Sequence, residues 1–455
     1  MRYIPHTEGD IRSMLETIGV PSVDTLFNSI PEALQLHREL DVPSAMAESD
    51  LKRHLVALAN QNIAMGQAKA SFLGGGVYRH YVPIAVSQLL LRGEIYTAYT
   101  PYQPEIAQGT LQIIFEFQTM VSELTGCDVV NASMYDGSTA LAEAALMALR
   151  VMRDKPQRVI LSRALHPEWR EVTRVFLENL GASAVDAPIG ADGRTDLAAV
   201  EGLLADGATA LCVGYPTFYG TFDDLEGARA LCDKHGSLLI AAFQEAVSFG
   251  IVEPPGQLAD IVVGEGQSLG VPASLGGPHL GIFGTREKFV RQMPGRLAGE
   301  TVDARGNRGF VLTMSTREQH IRREKATSNI CTNVALMATS ATIAMTLTGR
   351  AGIELVSRAS HLRAEETKAK VLEVPGFSLF FADSPTFNEF VVKTPKPADE
   401  IVSKLAGEKI GAGIALGRYA GELKNEALSH ALLITATELT TSEDIAALCE
   451  ALARV

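Results

Sequence analysis

Residues 237–284 have the pattern of an active-site segment, because three short apolar strands there are separated by Gly- and Pro-rich loops. Loops at strand ends often carry reactive groups, such as a lysine that forms a Schiff base or an aspartate that holds a protonated pyridine nitrogen. In this chain the first strand contains Ala241, and the loop after the second contains Gln267 and Ser268. The segment therefore predicts the scaffold of an active site that lacks its reactive residues.

Strands and helices alternate from residue 129 to residue 284, and this order must position the segment. Such alternation is typical of an α/β sheet that is mostly parallel and has helices on both faces. A long Ala- and Met-rich helix is predicted from Asn333, ending at Gly349 and Gly352 ahead of a smaller α/β unit. The predicted parts are an N-terminal arm (1–60), a large α/β domain with a degenerate cofactor site (61–330), and a linking helix with a small C-terminal α/β domain (331–455).

The composition indicates an acidic metabolic protein. The 455 residues include 40 basic and 53 acidic side chains, and the net charge of -13 argues against a nucleic-acid partner. Five scattered cysteines without CxxC spacing argue against a disulfide framework and a zinc site, so no metal is expected. The N-terminus has no long apolar core, so neither a signal peptide nor a membrane anchor is predicted. We expect a cytoplasmic protein.

Residues 96–109, the tyrosine loop, combine tyrosines and other polar side chains with two prolines. Prolines fix an extended backbone, so the loop is expected to present its side chains rather than fold them away. The presented side chains are Tyr99, Tyr102, Gln103 and Glu105. The alternative is an ordinary Pro-rich surface loop.

Two features could receive a flat, phosphorylated ligand. Residues 137–139 open a helix, where free N–H groups and the helix dipole favour an anion, although the same turn could simply cap the helix. His166 follows a strand and could lie over a flat ring, or it is a hydrogen-bonded structural residue. Residues 72–83, the glycine loop, contain three consecutive glycines that suit a backbone pressed against another group, but they are a weak match to a phosphate loop.

Residues 295–332, the basic run, contain six arginines, Lys325 and several hydroxyl side chains that include Ser328. Guanidinium groups and hydroxyls of this kind could hold carboxylates or a phosphate. The alternative is a solvated surface on which the charges pair with one another.

Three strings of residues together resemble one family. They are TAYTPYQPEIAQGTLQIIFEFQTMVSELTG (97–126), GEGQSLGVPASLGGPHLG (264–281) and REKATSNICT (323–332). These strings resemble glycine dehydrogenase (decarboxylating), the P-protein of the glycine cleavage system. The resemblance covers essentially the whole chain and is to the N-terminal half of the long single-chain form, which is a separate subunit 1 in many bacteria and archaea.

The catalytic half of that family carries an Asp at the position that matches Ala241 and the Schiff-base Lys at the position that matches Ser268. A His precedes that Lys, where this chain has Gln267, and His166 matches the ring-stacking His of the family. The resemblance implies the pyridoxal-phosphate-dependent transferase fold type I, which is aspartate-aminotransferase-like. It also implies that no cofactor is bound covalently by this chain and that pyridoxal phosphate is on the partner subunit.

The partners implied by the resemblance are the catalytic subunit 2 of the P-protein, the lipoylated H-protein and glycine. The two subunits would form a heterodimer or a dimer of heterodimers that decarboxylates glycine and transfers the aminomethyl group to the lipoyl group. An interface or substrate-positioning role is implied for Tyr99, Tyr102, Gln103, Glu105, Lys325 and Ser328.

Two other interpretations are open. A free-standing pyridoxal-phosphate enzyme would need Lys288 or Lys325, which are the only lysines between residues 235 and 330. A non-catalytic binding protein is compatible with the same missing residues.

Overall fold

The computed structural model describes residues 5–455 except Leu275, Asp383 and Lys424, and four further side chains are left out, at Met65, Thr316, His320 and Glu422. The chain divides into two compact units, residues 1–63 and 64–455. The domain boundaries predicted at residues 60 and 330 stay predictions.

The smaller unit contains helices α1 (Glu8–Ile18) and α2 (Glu48–Ala59). Thr7 and Asp10 form a reciprocal capping box that begins α1. Neither helix has a buried residue, and the apolar side chains of α2, which include Leu51 and Leu55, are exposed. This unit therefore carries apolar surface that it does not itself cover.

The larger unit begins with a strand and three helices, and strands and helices then alternate as predicted. These elements are β1 (Ala70–Ser71), α3 (Ile84–Leu90), α4 (Gly93–Tyr96), α5 (Gln108–Thr125), β2 (Val129–Val130), α6 (Gly137–Val151), β3 (Arg158–Ser162), α7 (Pro167–Glu178), β4 (Ser183–Ala187), α8 (Leu197–Ala205), β5 (Ala210–Gly214), α9 (Leu225–His235), β6 (Leu238–Phe243), β7 (Ile261–Glu265) and β8 (Gly281–Thr285). The main sheet has the strand order β2-β8-β7-β6-β5-β3-β4. Strand β8 is antiparallel to both neighbours, whereas the strands from β7 to β4 pair in parallel. The mostly parallel sheet predicted from the sequence is confirmed.

Side chains of a strand alternate between the two faces of the sheet, and helices cover both faces here. Leu239 and Ala241 of β6 belong to an apolar core that includes residues of α5, α8 and α9. Ile240 and Ala242 belong to a second core, with residues of α6 and α7. The carboxyl ends of β6 and β7 therefore lie between two helical layers.

The remaining elements form a hairpin, a long helix and a small sheet domain. They are β9 (Leu297–Val302), β10 (Arg308–Thr313), α10 (Gln319–Arg322), α11 (Ala335–Leu372), β11 (Ser378–Leu379), β12 (Glu389–Lys393), α12 (Ala398–Gly407), β13 (Ile410–Gly411), β14 (Ile414–Ala415), α13 (Ala420–Leu423), β15 (Ala431–Thr435) and α14 (Ser442–Leu452). The small sheet is antiparallel with the order β11-β12-β15-β14, and β1 pairs with β13. The glycine loop therefore begins against the small domain.

The long helix departs from its prediction. It breaks at Gly349, whose φ of 63° and ψ of 175° are not helical, but a second helical part continues at once to Leu372. The prediction that Gly352 helps to end the helix was wrong, because Gly352 lies within the continued helix. A glycine ends a helix only where its backbone leaves the helical conformation.

Candidate functional site

The two positions that the resemblance assigns to an Asp and a Schiff-base Lys hold small buried side chains. Ala241 lies in the middle of β6, paired with Val213 and Val262, and is 1% exposed. Ser268 lies in the short turn directly after β7, and its Oγ is buried without a hydrogen-bond partner among the described residues. Neither position offers a carboxylate or an amine to a ligand.

The glycine loop is bonded to the residue before Ser268. The Gln267 carbonyl Oε1 accepts a hydrogen bond from the backbone N–H of Tyr78 at 2.8 Å. The Gln267 amide Nε2 donates to the carbonyls of Tyr78 at 3.0 Å and Val271 at 2.6 Å. The Gln267 side chain therefore holds the loop through both of its polar atoms.

The same loop also lies against His166. Gly76 has a φ of 104°, and a Cβ atom at this position would lie 3.6 Å from His166 Cδ2 and 3.5 Å from Gln244 Oε1. Those distances are ordinary contacts, so the left-handed φ is what makes glycine suited to this position. The loop thus contacts the side chain that the resemblance assigned to ring stacking.

Both ring nitrogens of His166 form hydrogen bonds within the protein. Its Nδ1 accepts from the N–H of Glu168 at 3.2 Å at the start of α7, and its Nε2 lies 3.2 Å from the carbonyl of Gly75. Burial lowers the pKa of His166 to about 4, so the ring is neutral near pH 7 and Nε2 carries the proton that it donates. These contacts are those of a hydrogen-bonded structural residue.

The chain's own carboxylates occupy the start of α6, where an anion was considered. Asp136 accepts from the N–H of Thr139 at 2.7 Å, and Glu265 accepts from the N–H of Gly137 at 3.2 Å. The buried Glu265 also accepts from two other backbone N–H groups, and burial raises its pKa. A Cβ atom on Gly137 would lie only 2.3 Å from the ring of Trp169, so this turn is packed as well as capped. The capping interpretation describes this turn, because the N–H groups of Gly137, Thr139 and Ala140 already bind oxygens of the chain.

The residues present do not fit pyridoxal phosphate. The described residues around Ser268 and Ala241 supply no Schiff-base amine and no pyridine-binding carboxylate. The helix N-terminus that would receive the phosphate is bonded to the chain's own carboxylates, and the His166 ring is stacked with Trp169 at a centroid distance of 5.8 Å. No chemical step can be derived from this site alone.

A buried polar network, absent from the sequence predictions, secures the glycine loop. Glu389 accepts from the N–H of Gly75 at 2.7 Å, from the hydroxyl of Tyr78 at 2.6 Å and from Thr435 at 2.7 Å. Burial raises the pKa of Glu389 to about 7, although these hydrogen bonds oppose that effect. This carboxyl ties the loop to the small domain.

His80 ties the other end of the loop to both domains. Its Nε2 lies 2.9 Å from Glu245, beyond the end of β6, and its Nδ1 lies 2.7 Å from Glu438 of the small domain. Burial alone would lower the pKa of His80, but the two carboxylates outweigh it and raise the pKa to about 10. We call His80, Glu245, Glu389 and Glu438 the loop clamp.

Arg296 anchors the tyrosine loop through Thr100 and Tyr102, and other side chains of the loop are exposed. Tyr102 Oη accepts from Arg296 Nη2 at 2.9 Å, and Arg296 is buried and paired with Glu318 at 3.2 Å. Tyr99 is 77% exposed, and Gln103 and Glu105 are also exposed. The loop therefore presents Tyr99 and Glu105 from a fixed support.

The remaining candidate residues lie elsewhere. Lys325 is exposed, and Ser328 donates to Glu143 at 2.7 Å. Lys288 pairs with Asp260 at 3.8 Å, and Asp260 directly precedes β7 at the amino end of the sheet. Sheets of this kind bind ligands at their carboxyl ends, so the position of Lys288 disfavours a free-standing enzyme that uses it.

Within residues 5–455, leaving out the undescribed positions, no helix is long and apolar enough to cross a membrane. The same residues contain no group of three or more His, Cys, Asp or Glu side chains placed to hold a metal ion.

Comparisons with known proteins agree over the full length. A family model described as "Glycine cleavage system P-protein" matches residues 1–452. A "probable glycine dehydrogenase (decarboxylating) subunit 1" from Rhodospirillum centenum is 49% identical over 459 residues, with both chains covered completely. A crystal structure of glycine decarboxylase (P-protein) of the glycine cleavage system, in inhibitor-bound form, has a TM-score of 0.86 and 41% identity, and covers 100% of each chain. A sphingosine-1-phosphate lyase from Burkholderia pseudomallei has a TM-score of 0.65 at 14% identity over 93% of each chain, which shows a likeness of fold alone.

Proposed function

The chain belongs to the glycine cleavage system P-protein family, and from that premise we propose that it is the subunit of glycine dehydrogenase (decarboxylating) that anchors no cofactor. Together with a catalytic subunit 2, it decarboxylates glycine and transfers the aminomethyl group to the lipoyl group of the H-protein. Pyridoxal phosphate is carried by the partner. The observation that carries this proposal is the self-blocked site, in which Gln267 and His166 are bonded to the glycine loop.

The contribution of this chain is to shape and support the partner's active site. The exposed side chains of the tyrosine loop, Tyr99, Gln103 and Glu105, orient glycine or the incoming lipoyl arm, and Tyr102 holds the loop to Arg296. Positioning of this kind accelerates a reaction by fixing the geometry in which the groups meet. A further interface role falls to Lys325 and Ser328.

Exposed apolar side chains support an obligate association. Apolar residues are exposed on α2 in the smaller unit and, separately, at Leu347, Leu355 and Leu362 on α11 in the larger unit. Obligate interfaces bury large apolar areas, and uncovered apolar surface of this extent marks such an interface. The assembly is a heterodimer or a dimer of heterodimers.

The proposal is tested by purifying the chain alone and with the catalytic subunit, adding pyridoxal phosphate, and reducing with borohydride. We expect the chain alone to stay colourless and unlabelled, because Ser268 cannot form an imine. The co-purified heteromer should carry the reduced cofactor on the partner only. Peptide mapping that finds the label on Lys288 or Lys325 would overturn the proposal, as would elution of the two subunits as separate species.

A further inference from the structure

Six cationic side chains line a single cavity of about 640 Å³ in the larger unit. They come from the end of α6, from the short turn Glu287–Gln292 and from the basic run. The six are Arg150, Arg153, Arg291, Arg317, Arg322 and Lys325. No acidic side chain is among the described residues that line this cavity, although the whole chain has a net charge of -13. We call it the basic cavity.

Arg317 lines the cavity, and its described hydrogen bonds go to backbone carbonyls rather than to carboxylates. Its Nη1 and Nη2 donate to the carbonyls of Met293 and Gly295, the second at 3.1 Å, and its Nε donates to the carbonyl of Met314 at 3.3 Å. Burial lowers the pKa of Arg317, and the charge of Glu318 only partly opposes this. Backbone carbonyls thus orient this guanidinium but do not neutralise its charge.

Arg150 is held in a similar way, by the carbonyl of the residue that precedes Met293. Its Nη2 donates to the carbonyl of Gln292 at 3.1 Å, and its Nε is buried without a hydrogen-bond partner in the described part of the chain. Burial lowers the pKa of Arg150, Glu143 opposes this, and the charges of Arg153 and Arg317 lower it further. Like charges therefore lie near one another in the lining of the cavity, and a bound anion would relieve their repulsion.

We propose that the basic cavity binds a small molecule that carries two or more phosphate groups. A single carboxylate could pair with only one or two of these cations, whereas a diphosphate matches several at once. Guanidinium groups bind phosphate oxygens in pairs, and Arg153, Arg291 and Lys325 lie exposed where they can close on a ligand. The volume is that of a small-molecule site and suits a nucleoside diphosphate.

A bound diphosphate would link the basic run to α6. In the structure, Ser328 and Glu143 already join these two segments through one hydrogen bond. The ligand adds charge-assisted contacts from Arg317 and Lys325 on one side and Arg150 on the other. Such a site is independent of the blocked cofactor site, because it uses none of the residues that close it.

The test is calorimetric titration of the full chain with inorganic pyrophosphate, and then with ADP, at a constant ionic strength near the physiological value. We expect saturable binding with one site per chain. Arg153→Gln and Arg291→Gln should each weaken binding by about tenfold, because each removes a charge-assisted contact. The matched control is Arg305→Gln, which removes an exposed arginine outside the cavity and should leave affinity within about twofold. Lys325→Gln removes a further exposed cation of the cavity and should also weaken binding.

Thermal unfolding without ligand checks that the variants fold. If an arginine variant does not fold, the affinity of Lys325→Gln for pyrophosphate tests the proposal instead. Pyrophosphate binding that does not saturate, or that Arg305→Gln weakens equally, would overturn the proposal. The titration is repeated on the heteromer with the catalytic subunit. Loss of binding there would also overturn it, because the cavity would then be a contact for acidic side chains of the partner.

Discussion

Replacing His80 by glutamine removes a positive charge that lies between Glu245 and Glu438. Glutamine keeps hydrogen-bonding capacity but cannot balance the two buried carboxylates. Because the imidazole joins the glycine loop to both domains, the change should loosen the loop rather than unfold the whole chain. The loop clamp therefore predicts a local opening that depends on pH.

The magnitude follows from the pKa of His80, which is raised from 6.5 to about 10 in the folded chain. A group whose folded pKa is raised contributes stability that is complete below its unfolded pKa and is lost as the pH rises through the folded value. The free energy of loop opening should then fall by about 1.4 kcal/mol per pH unit, or about 2 kcal/mol between about pH 7 and about pH 8.5. Burial also raises the pKa of Glu389 in the same clamp to about 7, so this carboxyl adds a slope of the same sign that is mostly spent by about pH 7.

The measurement is hydrogen exchange with mass spectrometry on peptides that cover the glycine loop, corrected for the intrinsic effect of pH. The parent should show the loss of opening free energy across this window, and His80→Gln should open more easily with no such slope. His430→Gln is the matched control, because His430 Nδ1 contacts the carbonyl of Thr394 rather than a carboxylate. A parent loop whose opening free energy is the same at both pH values would refute the reasoning, as would a His80→Gln variant that keeps the slope.

Two other predictions concern the tyrosine loop and the blocked anion position. Tyr99→Phe and Glu105→Gln should each lower turnover of the reconstituted enzyme by about tenfold through poorer positioning, with heteromer formation and the partner's cofactor content unchanged. Turnover equal to the parent in both variants would make the loop a surface feature only. Gly137→Ala should lower the free energy of unfolding by about 1–3 kcal/mol, since its Cβ would meet the Trp169 ring at 2.3 Å. The control Gly202→Ala in α8, with nothing within 4 Å, should be neutral or stabilising in urea unfolding, and equal effects of the two changes would contradict the packing argument.

Much of the fold could be predicted because its signals are local. The alternation of apolar strands with helices identified the main sheet, and the absence of Asp and Lys at Ala241 and Ser268 could be seen directly in the sequence. Gly349 and Gly352 show the limit of such signals. Both are helix-breaking residues by type, but only Gly349 adopts a backbone that interrupts the helix.

The contacts that close the site were not predictable, because they join residues that are far apart in sequence. His80 lies 165 residues from Glu245 and 358 residues from Glu438. Glu265 reaches the N–H of Gly137 across 128 residues. No spacing rule connects such pairs. The arginines that line the basic cavity were likewise recognised only once the fold brought the helix, the turn and the basic run together.

The position of the glycine loop decides how readily this chain could regain a cofactor. Ala241→Asp and Ser268→Lys would return the two reagents, but Gln267 would still bind the loop and Glu265 would still occupy the start of α6. Cofactor binding is thus blocked in several independent places, and changing any one of them leaves the others in force. Under the proposed function, no single substitution gives this chain a cofactor site of its own, and the chemistry stays with the partner subunit.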